Sequence, residues 1–151
     1  MYFDEDLLLD LRLNSLDKFV KKFVITEATY KHNEKKKKLN FDISKFKKFK
    51  DKIIYIVVDK QPNNILNLLE SDSKARRGEK LILNGMARDY FQRENLMKGI
   101  KQSDSNDLIL ISDLDEIPDL NKLDFSKIDN NILIFEQKMF YYKLNLFYKD
   151  Y

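Results

Sequence analysis

The chain of 151 residues contains no cysteine and no tryptophan, one histidine, three glycines and two prolines. Without cysteine it can form neither a disulfide framework nor a zinc ribbon, and thiol catalysis is excluded. A single histidine argues against a multi-histidine metal site and against a serine–histidine–aspartate triad. Long apolar runs are also missing, and the longest ones are far too short to cross a bilayer. The first residues do not resemble a signal peptide, so we expect a soluble, cytoplasmic chain.

Apolar residues are abundant: 43% of the chain is hydrophobic and 13% is aromatic. This composition is typical of a folded protein and not of a disordered one. No internal repeat and no linker rich in proline or glycine divides the sequence, which predicts a single domain over residues 1–151. The net charge of +3 is small beside 28 basic and 25 acidic residues, so we expect no nucleic-acid partner.

Positive charge is concentrated between residues 31 and 60, and its centre is the lysine run, Lys35–Lys38. The simplest interpretation of such a run is a solvated loop. The alternative interpretation is a surface that attracts a phosphate or an anionic polymer. A non-catalytic binding module of that kind would show a steep dependence of affinity on salt.

The pattern of apolar residues predicts helices that alternate with buried strands. A helix is expected over residues 5–22, capped by Asp4 or Asp6. Strands are expected at 23–28, 53–58 and 107–112, with a short helix at 65–70, a loop at 71–80, a helix at 86–102, and one long or two short strands within 132–146. This order predicts an α/β fold with a mainly parallel sheet and flanking helices. Ligands bind such sheets at the carboxyl ends of the strands, which here carry Glu27, Asp59 and Asp113.

Asp113 and Asp115 are the first candidates for a functional site. In extended backbone their side chains would point to the same face, and two neighbouring carboxylates favour a divalent ion such as Mg²⁺ or Mn²⁺. In a chain so rich in aspartate, Asp-x-Asp is expected about twice by chance, and a second copy does occur at Asp4 and Asp6. The later pair differs because it follows the most apolar run, shortly before Pro118.

Arg93 is a further candidate, because it falls on a helical stripe that should face the sheet. The stripe consists of Met86, Tyr90, Arg93, Met97 and Ile100. A guanidinium in that position needs an anionic partner. The partner is either an acid such as Glu27, in a structural ion pair, or the phosphate of a ligand. His32, beside the lysine run, is interpreted as a surface histidine.

Four blocks of sequence carry a resemblance to a known family. They are LRLNSLDKFVKKFVITEATYKH with KKLNF, then KDKIIYIVVD, then YFQRENLMKGI, and finally DLILISDLDEIP. In this order they resemble glycosyltransferase family 17, from about Phe3 to Asn145. Its best-known members are β-1,4-mannosyl-glycoprotein 4-β-N-acetylglucosaminyltransferases. The most specific feature is ISDLDEIP preceded, about twenty residues upstream, by QRxxL.

The resemblance implies a GT-A nucleotide-diphospho-sugar transferase fold. It implies that Asp113 and Asp115 bind Mn²⁺ or Mg²⁺ together with the diphosphate of UDP-N-acetylglucosamine. Glu27 would then lie near the nucleoside, and Arg93 near the diphosphate or the donor sugar. The implied reaction is transfer of the sugar to a glycan hydroxyl with inversion, in which the metal neutralises charge on the departing UDP.

An inverting transfer also needs a carboxylate that takes the proton of the acceptor hydroxyl. Glu136 and Asp150 are available, and nothing in the sequence selects between them, so Glu136 is carried forward only as a candidate. Family members continue beyond the FYYKLN stretch, into the part that normally brings the acceptor contacts and the base. We therefore expect this chain to be the donor-binding part of a GT-A-like domain, with the acceptor part truncated.

One departure from the family pattern concerns the loop beside the lysine run. The family usually has Thr-His-x-Gly followed by Lys-Pro, where this chain has Lys31-His32-Asn33-Glu34 and then lysines. A different function also stays open, namely a metal-dependent phosphohydrolase or a TOPRIM-like enzyme. The late position of the acidic pair argues against a phosphatase of the Asp-x-Asp-x-Thr type, as does Ile117 in place of the threonine.

Overall fold

The structure is a computed structural model that describes residues 1–101, 103–128, 132–141 and 146–148. Its helices are α1 (Asp6–Leu16), α2 (Lys74–Glu94) and α3 (Met97–Ile100), and its strands are β1 (Phe23–Ala28), β2 (Ile53–Val58), β3 (Phe140–Tyr141) and β4 (Leu146–Phe147). Short 3₁₀ segments lie at Ile43–Phe49, Leu120–Lys122 and Phe125–Lys127. The predicted α/β class is therefore confirmed.

Strands β1 and β2 form a parallel pair, with Phe23 opposite Ile53 and Ala28 opposite Val58. Both strands have the bounds that their runs of β-branched and aromatic residues predict. Strands β3 and β4 form a separate antiparallel pair. The strand region predicted over 132–146 falls partly outside the described residues, and its described part contains β3 and the first residue of β4.

The third strand predicted at 107–112 is wrong, because these residues join no ladder and Ile111 is 76% exposed. The carbonyl oxygen of Thr26 on β1 already accepts the backbone N–H of Tyr2 at 2.9 Å and the side-chain amide of Gln92 at 3.1 Å. A short apolar run predicts burial but does not by itself identify a pairing edge. In the described residues the parallel sheet therefore contains two strands only.

Helix α1 supplies one wall of the core through Leu9, Leu13 and Leu16. The buried apolar cluster is formed by Tyr2, Leu9, Leu13, Leu16, Phe23, Ile25, Phe46, Phe49 and Leu120. The helix ends at Leu16, short of the predicted boundary at residue 22. Its N-terminal cap is Glu5, whose side chain makes no capping hydrogen bond, so the predicted caps, Asp4 and Asp6, are wrong.

Helix α2 begins much earlier than its apolar pattern indicates. The polar stretch 71–80 was expected to be a loop, yet the helix starts at Lys74, where the Ser73 hydroxyl accepts the backbone N–H of Arg76 at 3.2 Å. Serine at this position stabilises the first turn by satisfying a free backbone donor. The short helix predicted at 65–70 is absent, and the helix predicted over 86–102 is divided between α2 and α3.

The face that α2 buries is polar. Its buried side chains are spaced four residues apart and are Lys80, Asn84, Arg88 and Gln92. The stripe predicted to face the sheet is instead exposed, since Met86, Tyr90 and Met97 are 46%, 57% and 60% accessible. The prediction was wrong because it took the apolar side of the helix to be the buried side, whereas α2 buries polar side chains.

Hydrogen bonds explain why polar groups can line the buried face of α2. Asn84 accepts the backbone N–H of Leu66 at 2.7 Å and donates to its carbonyl at 2.9 Å. Lys80 donates to both carboxylate oxygens of Asp72 at 2.7 Å. Buried polar groups are tolerated when their partners are in place. The helix is therefore attached to the preceding loop by specific pairs.

The carboxylate of Glu27, at the end of β1, has no exposed surface. One of its oxygens accepts the ammonium of Lys37 and the backbone N–H of Asn40, the latter at 2.8 Å. The other oxygen accepts the hydroxyl of Tyr55 at 2.7 Å and the backbone N–H of Phe41 at 3.1 Å. Burial opposes ionisation of Glu27, but these donors outweigh it and lower the pKa of the carboxyl.

The substitution Glu27→Gln should lower the free energy of unfolding by about 3 kcal/mol, because it leaves the buried ammonium of Lys37 without its counter-ion. Urea denaturation measures the change. The control is Glu79→Gln, which breaks an exposed pair with Arg76 and should alter stability by less than about 0.5 kcal/mol. Equal effects of the two variants would contradict the role assigned to Glu27.

The stability that the Glu27 carboxylate contributes should depend on pH. A carboxylate whose pKa is lowered by folding contributes stability above its unfolded-state pKa, and the contribution is lost as pH falls through the folded-state value. The stability difference between the wild-type chain and Glu27→Gln should therefore narrow as pH falls below about 4.3, the ordinary value for glutamate.

Candidate functional site

Residues Ser112–Glu116 form a tight turn, which we call the acidic turn. The backbone N–H of Glu116 donates to the Asp113 carbonyl at 3.2 Å, and the Asp113 N–H donates to the Glu116 carboxylate at 2.9 Å. The hydroxyl of Ser112 donates to the Glu116 carbonyl at 3.0 Å. The backbone at Asp113 and Asp115 is therefore turned, and the premise of an extended segment with both side chains on one face is wrong.

Arg93 holds the Asp113 carboxylate with both arms of its guanidinium. The distances are 2.8 Å from Nη1 to Oδ1 and 3.3 Å from Nη2 to Oδ2, while Nε donates to Asp89 at 3.0 Å. The ion pair expected for Arg93 thus exists, although its partner is not Glu27. The hydrogen bond from Arg93 is the main cause that lowers the pKa of Asp113. Both side chains are 43% exposed, so this pair remains accessible to a ligand.

Asp115 is exposed and has no hydrogen-bond or ion-pair partner in the described part of the chain. Within that part no group of three histidine, cysteine or carboxylate side chains is placed to hold a metal ion. Asp113, which Arg93 binds, and Asp115 do not by themselves supply all the ligands that a metal ion needs. Two carboxylates are nevertheless the number of protein ligands that Mg²⁺ commonly takes, with water and substrate phosphate completing its coordination.

A second arginine reaches the acidic turn from α1. Arg12 donates through Nη1 to the carbonyls of Asp113 at 2.7 Å and Glu116 at 2.8 Å, and through Nη2 to the hydroxyl of Ser112 at 2.6 Å. Arg12 is not among the residues that the sequence predicts for the site. The signal was present, since Arg12 lies three residues after Leu9 and four before Leu16, on the flank of the stripe that α1 buries.

Helix α2 connects the end of β1 with the acidic turn. Gln92 donates to the carbonyl of Thr26, which precedes Glu27, and the next residue of the helix is Arg93. Glu27 itself does lie at the carboxyl end of its strand, as predicted. Its oxygens are enclosed by donors from the protein, and the carboxylate holds the backbone of Asn40 and Phe41 in place.

The four lysines of the lysine run differ in their exposure and do not form one continuous surface. Lys35, Lys36 and Lys38 are exposed, as a solvated loop requires, but the side chain of Lys37 is only 6% exposed and pairs with Glu27. His32 has a side chain that is 63% exposed, which confirms the interpretation of a surface histidine.

Glu34 has a φ of 73°, in the left-handed region that favours glycine. It stands where the family pattern has glycine. Its carboxylate lies 3.3 Å from the guanidinium of Arg88, which is 3% exposed and also donates to the His32 carbonyl at 3.0 Å. The backbone of the turn is therefore strained at Glu34, and the carboxylate of Glu34 supplies a charge partner for the buried Arg88.

Glu136, the candidate base, is exposed and follows Phe135, which packs against the core. In the described residues its carboxylate has no hydrogen-bond or ion-pair partner. The other carboxylate considered for this role, Asp150, lies outside the described residues.

The sequence model of glycosyltransferase family 17 matches residues 1–150. The chain belongs to glycosyltransferase family 17. This membership indicates glycosyl transfer, with a sugar donor and an acceptor as substrates. Neither the curated proteins nor the solved structures provide a match to the chain. None of the helices in the described residues combines the length and the apolar character that spanning a bilayer requires.

Replacing Arg93 by glutamine should raise the pKa of Asp113 toward the ordinary range of an aspartate, because the hydrogen bonds and the positive charge that favour its ionised form are removed. A pH titration followed by carbon NMR of the aspartate side chains measures the change. The control Arg76→Gln, on the same helix but paired with Glu79, should leave the titration of Asp113 unaltered.

The strain at Glu34 can be measured with two substitutions that remove the same charge. We expect Glu34→Gly to be more stable than Glu34→Ala by about 1 kcal/mol, since only glycine adopts this φ without steric cost. Both variants lose the contact with Arg88, so the difference between their urea unfolding free energies reports the backbone alone. Equal stabilities would show that the turn carries no strain.

Proposed function

We propose that the chain is the donor-binding part of a GT-A-type, metal-dependent glycosyltransferase. The proposed reaction is transfer of N-acetylglucosamine from UDP-N-acetylglucosamine to a glycan hydroxyl with inversion. The observation that carries the proposal is the acidic turn, in which Asp115 has no hydrogen-bond or ion-pair partner among the described residues and Asp113 is held by an accessible arginine. Membership of family 17 supports glycosyl transfer, and the carboxylates support the use of a divalent ion.

Asp113 and Asp115 are the residues that would hold Mn²⁺ or Mg²⁺. When bound, the ion would supply positive charge that stabilises the departing diphosphate of UDP. Without such a counter-charge, a diphosphate beside Asp113, Asp115 and Glu116 would meet strong repulsion. The turn and the donor are therefore proposed to bind an ion jointly.

Arg93 is proposed to exchange partners when the donor binds. In the chain alone its guanidinium neutralises Asp113, with a geometry that suits a phosphate as well as a carboxylate. If the Asp113 oxygens held the ion, the guanidinium of Arg93 would be free to bind the diphosphate. Its partial exposure and its second partner, Asp89, allow this movement without leaving the charge unpaired.

Glu27 is proposed to act near the nucleoside through the segment that it anchors. Its carboxylate is fully buried and fixes the backbone of Asn40 and Phe41. A segment held in this way at the carboxyl end of β1 is a suitable wall for a nucleotide site. The base that deprotonates the acceptor is proposed to be a carboxylate, with Glu136 as the candidate.

Calorimetric titration of UDP and of UDP-N-acetylglucosamine into the purified chain, first with Mn²⁺ and then with EDTA, tests the proposal. We expect UDP to bind much more tightly with Mn²⁺ than in EDTA, and in preference to other nucleoside diphosphates. Equal affinity in EDTA, or no binding under either condition, would overturn it. Binding that is insensitive to the metal and steeply dependent on salt would instead favour the anion-binding module.

The substitution Asp115→Ala should abolish metal-dependent UDP binding while leaving the thermal unfolding temperature close to that of the wild-type chain, because the residue is exposed and has no hydrogen-bond or ion-pair partner among the described residues. Asp4→Ala is the matched control, since Asp4 is also exposed and begins the other Asp-x-Asp copy. Unchanged UDP affinity in Asp115→Ala would contradict the assignment of the site.

A further inference from the structure

Arg12 is a half-buried link between α1 and the acidic turn, two parts of the chain that are far apart in sequence. Its guanidinium donates to the Asp113 and Glu116 carbonyls and to the Ser112 hydroxyl, and it lies 3.5 Å from the Leu114 carbonyl. These contacts involve every residue of the turn except Asp115.

All of these acceptors are uncharged. Among the described residues, Arg12 makes no ion pair with a carboxylate, although its charge lies close to three of them. Burial lowers the pKa of Arg12, and the nearby charges of Glu116, Asp113 and Asp115 oppose that effect. The guanidinium thus attracts the acidic side chains through space while its hydrogen bonds go to the main chain and to a hydroxyl.

The two arginines at the turn differ in this respect. Arg93 occupies the carboxylate oxygens of Asp113 directly, so it competes with any cation for them. Arg12 leaves those oxygens free and fixes the backbone that carries them. A planar fork with several donors can reach three acceptors of one turn, which the compact ammonium of a lysine cannot do in the same way.

We propose that Arg12 is a positioning residue, which holds the acidic turn in the shape that binds a divalent cation together with a nucleoside diphosphate. The inference rests on the proposed function, and it adds a residue to which neither the family match nor the acidic motif points. Asp113, Asp115 and Glu116 repel one another, so a turn without Arg12 should open and separate the two aspartates. Arg12 does not touch the substrate, and its effect passes through Asp113.

The test compares the affinity for UDP in Mn²⁺ with the affinity for UDP in EDTA. A general loss of structure would weaken UDP binding in both conditions and leave their ratio unchanged. Loss of the turn geometry would lower only the metal-dependent part. We expect Arg12→Lys, which keeps the charge, to lower the ratio about tenfold or more, in keeping with the loss of charge-assisted hydrogen bonds. The control Arg76→Lys, at an exposed pair on α2, should leave the ratio unaltered.

A second variant keeps the proposal testable if Arg12→Lys does not fold. Ser112→Ala retains the arginine and removes the hydroxyl that Nη2 reaches, so we expect a fall of a few-fold in the same ratio. An unchanged ratio in either folded variant, with a wild-type ratio well above one, would overturn the role of Arg12 and leave the proposed function standing. A wild-type ratio of one would overturn the proposed function, and the role of Arg12 with it.

Discussion

The buried carboxylate of Glu27 is the point on which the order of the surrounding chain depends. A carboxylate in the interior is stable only if its oxygens are satisfied, and here the donors come from the lysine run, from the following backbone and from β2. Because Phe41 is fixed in this way, its ring can stack on Tyr55 with 4.4 Å between centroids. A two-stranded parallel sheet would be marginal alone, and this network joins it to the aromatic part of the core.

In the acidic turn, arginine side chains counteract the repulsion among neighbouring carboxylates. Three carboxylates within four residues would spread apart in water, and two arginines from separate helices counteract that tendency. Arg12 binds the main chain, whereas Arg93 binds the side chain of Asp113. One arginine therefore contacts the backbone that shapes the turn, and the other balances the charge of a carboxylate. The helices are connected to the site through these two side chains.

The sequence was informative where burial is apolar and misleading where it is polar. The ranges of β1 and β2 follow directly from their β-branched runs, and the anionic partner that Arg93 was expected to need is present as Asp113. The run at 107–112 looked equally strand-like, but whether it pairs depends on a free edge, which local sequence does not reveal. Arg93 was selected on the premise that its stripe faces the sheet, yet it reaches Asp113 from an exposed face. Lys37 and Arg12 were missed because lysine and arginine are usually solvated.

Helix α2 has a consequence for how the protein tolerates change. Its leucines and isoleucine at 81–83 are 43% to 66% exposed, so each is only partly removed from water on folding. Lysine or glutamate there should be accepted, and would improve solubility. On the opposite face, an apolar replacement of Asn84 would leave the backbone N–H and carbonyl of Leu66 without their side-chain partner, and one of Gln92 would remove one of the two donors to the Thr26 carbonyl. In most helices the buried apolar positions are the sensitive ones. In α2 we expect the exposed apolar positions to tolerate substitution and the buried polar positions not to.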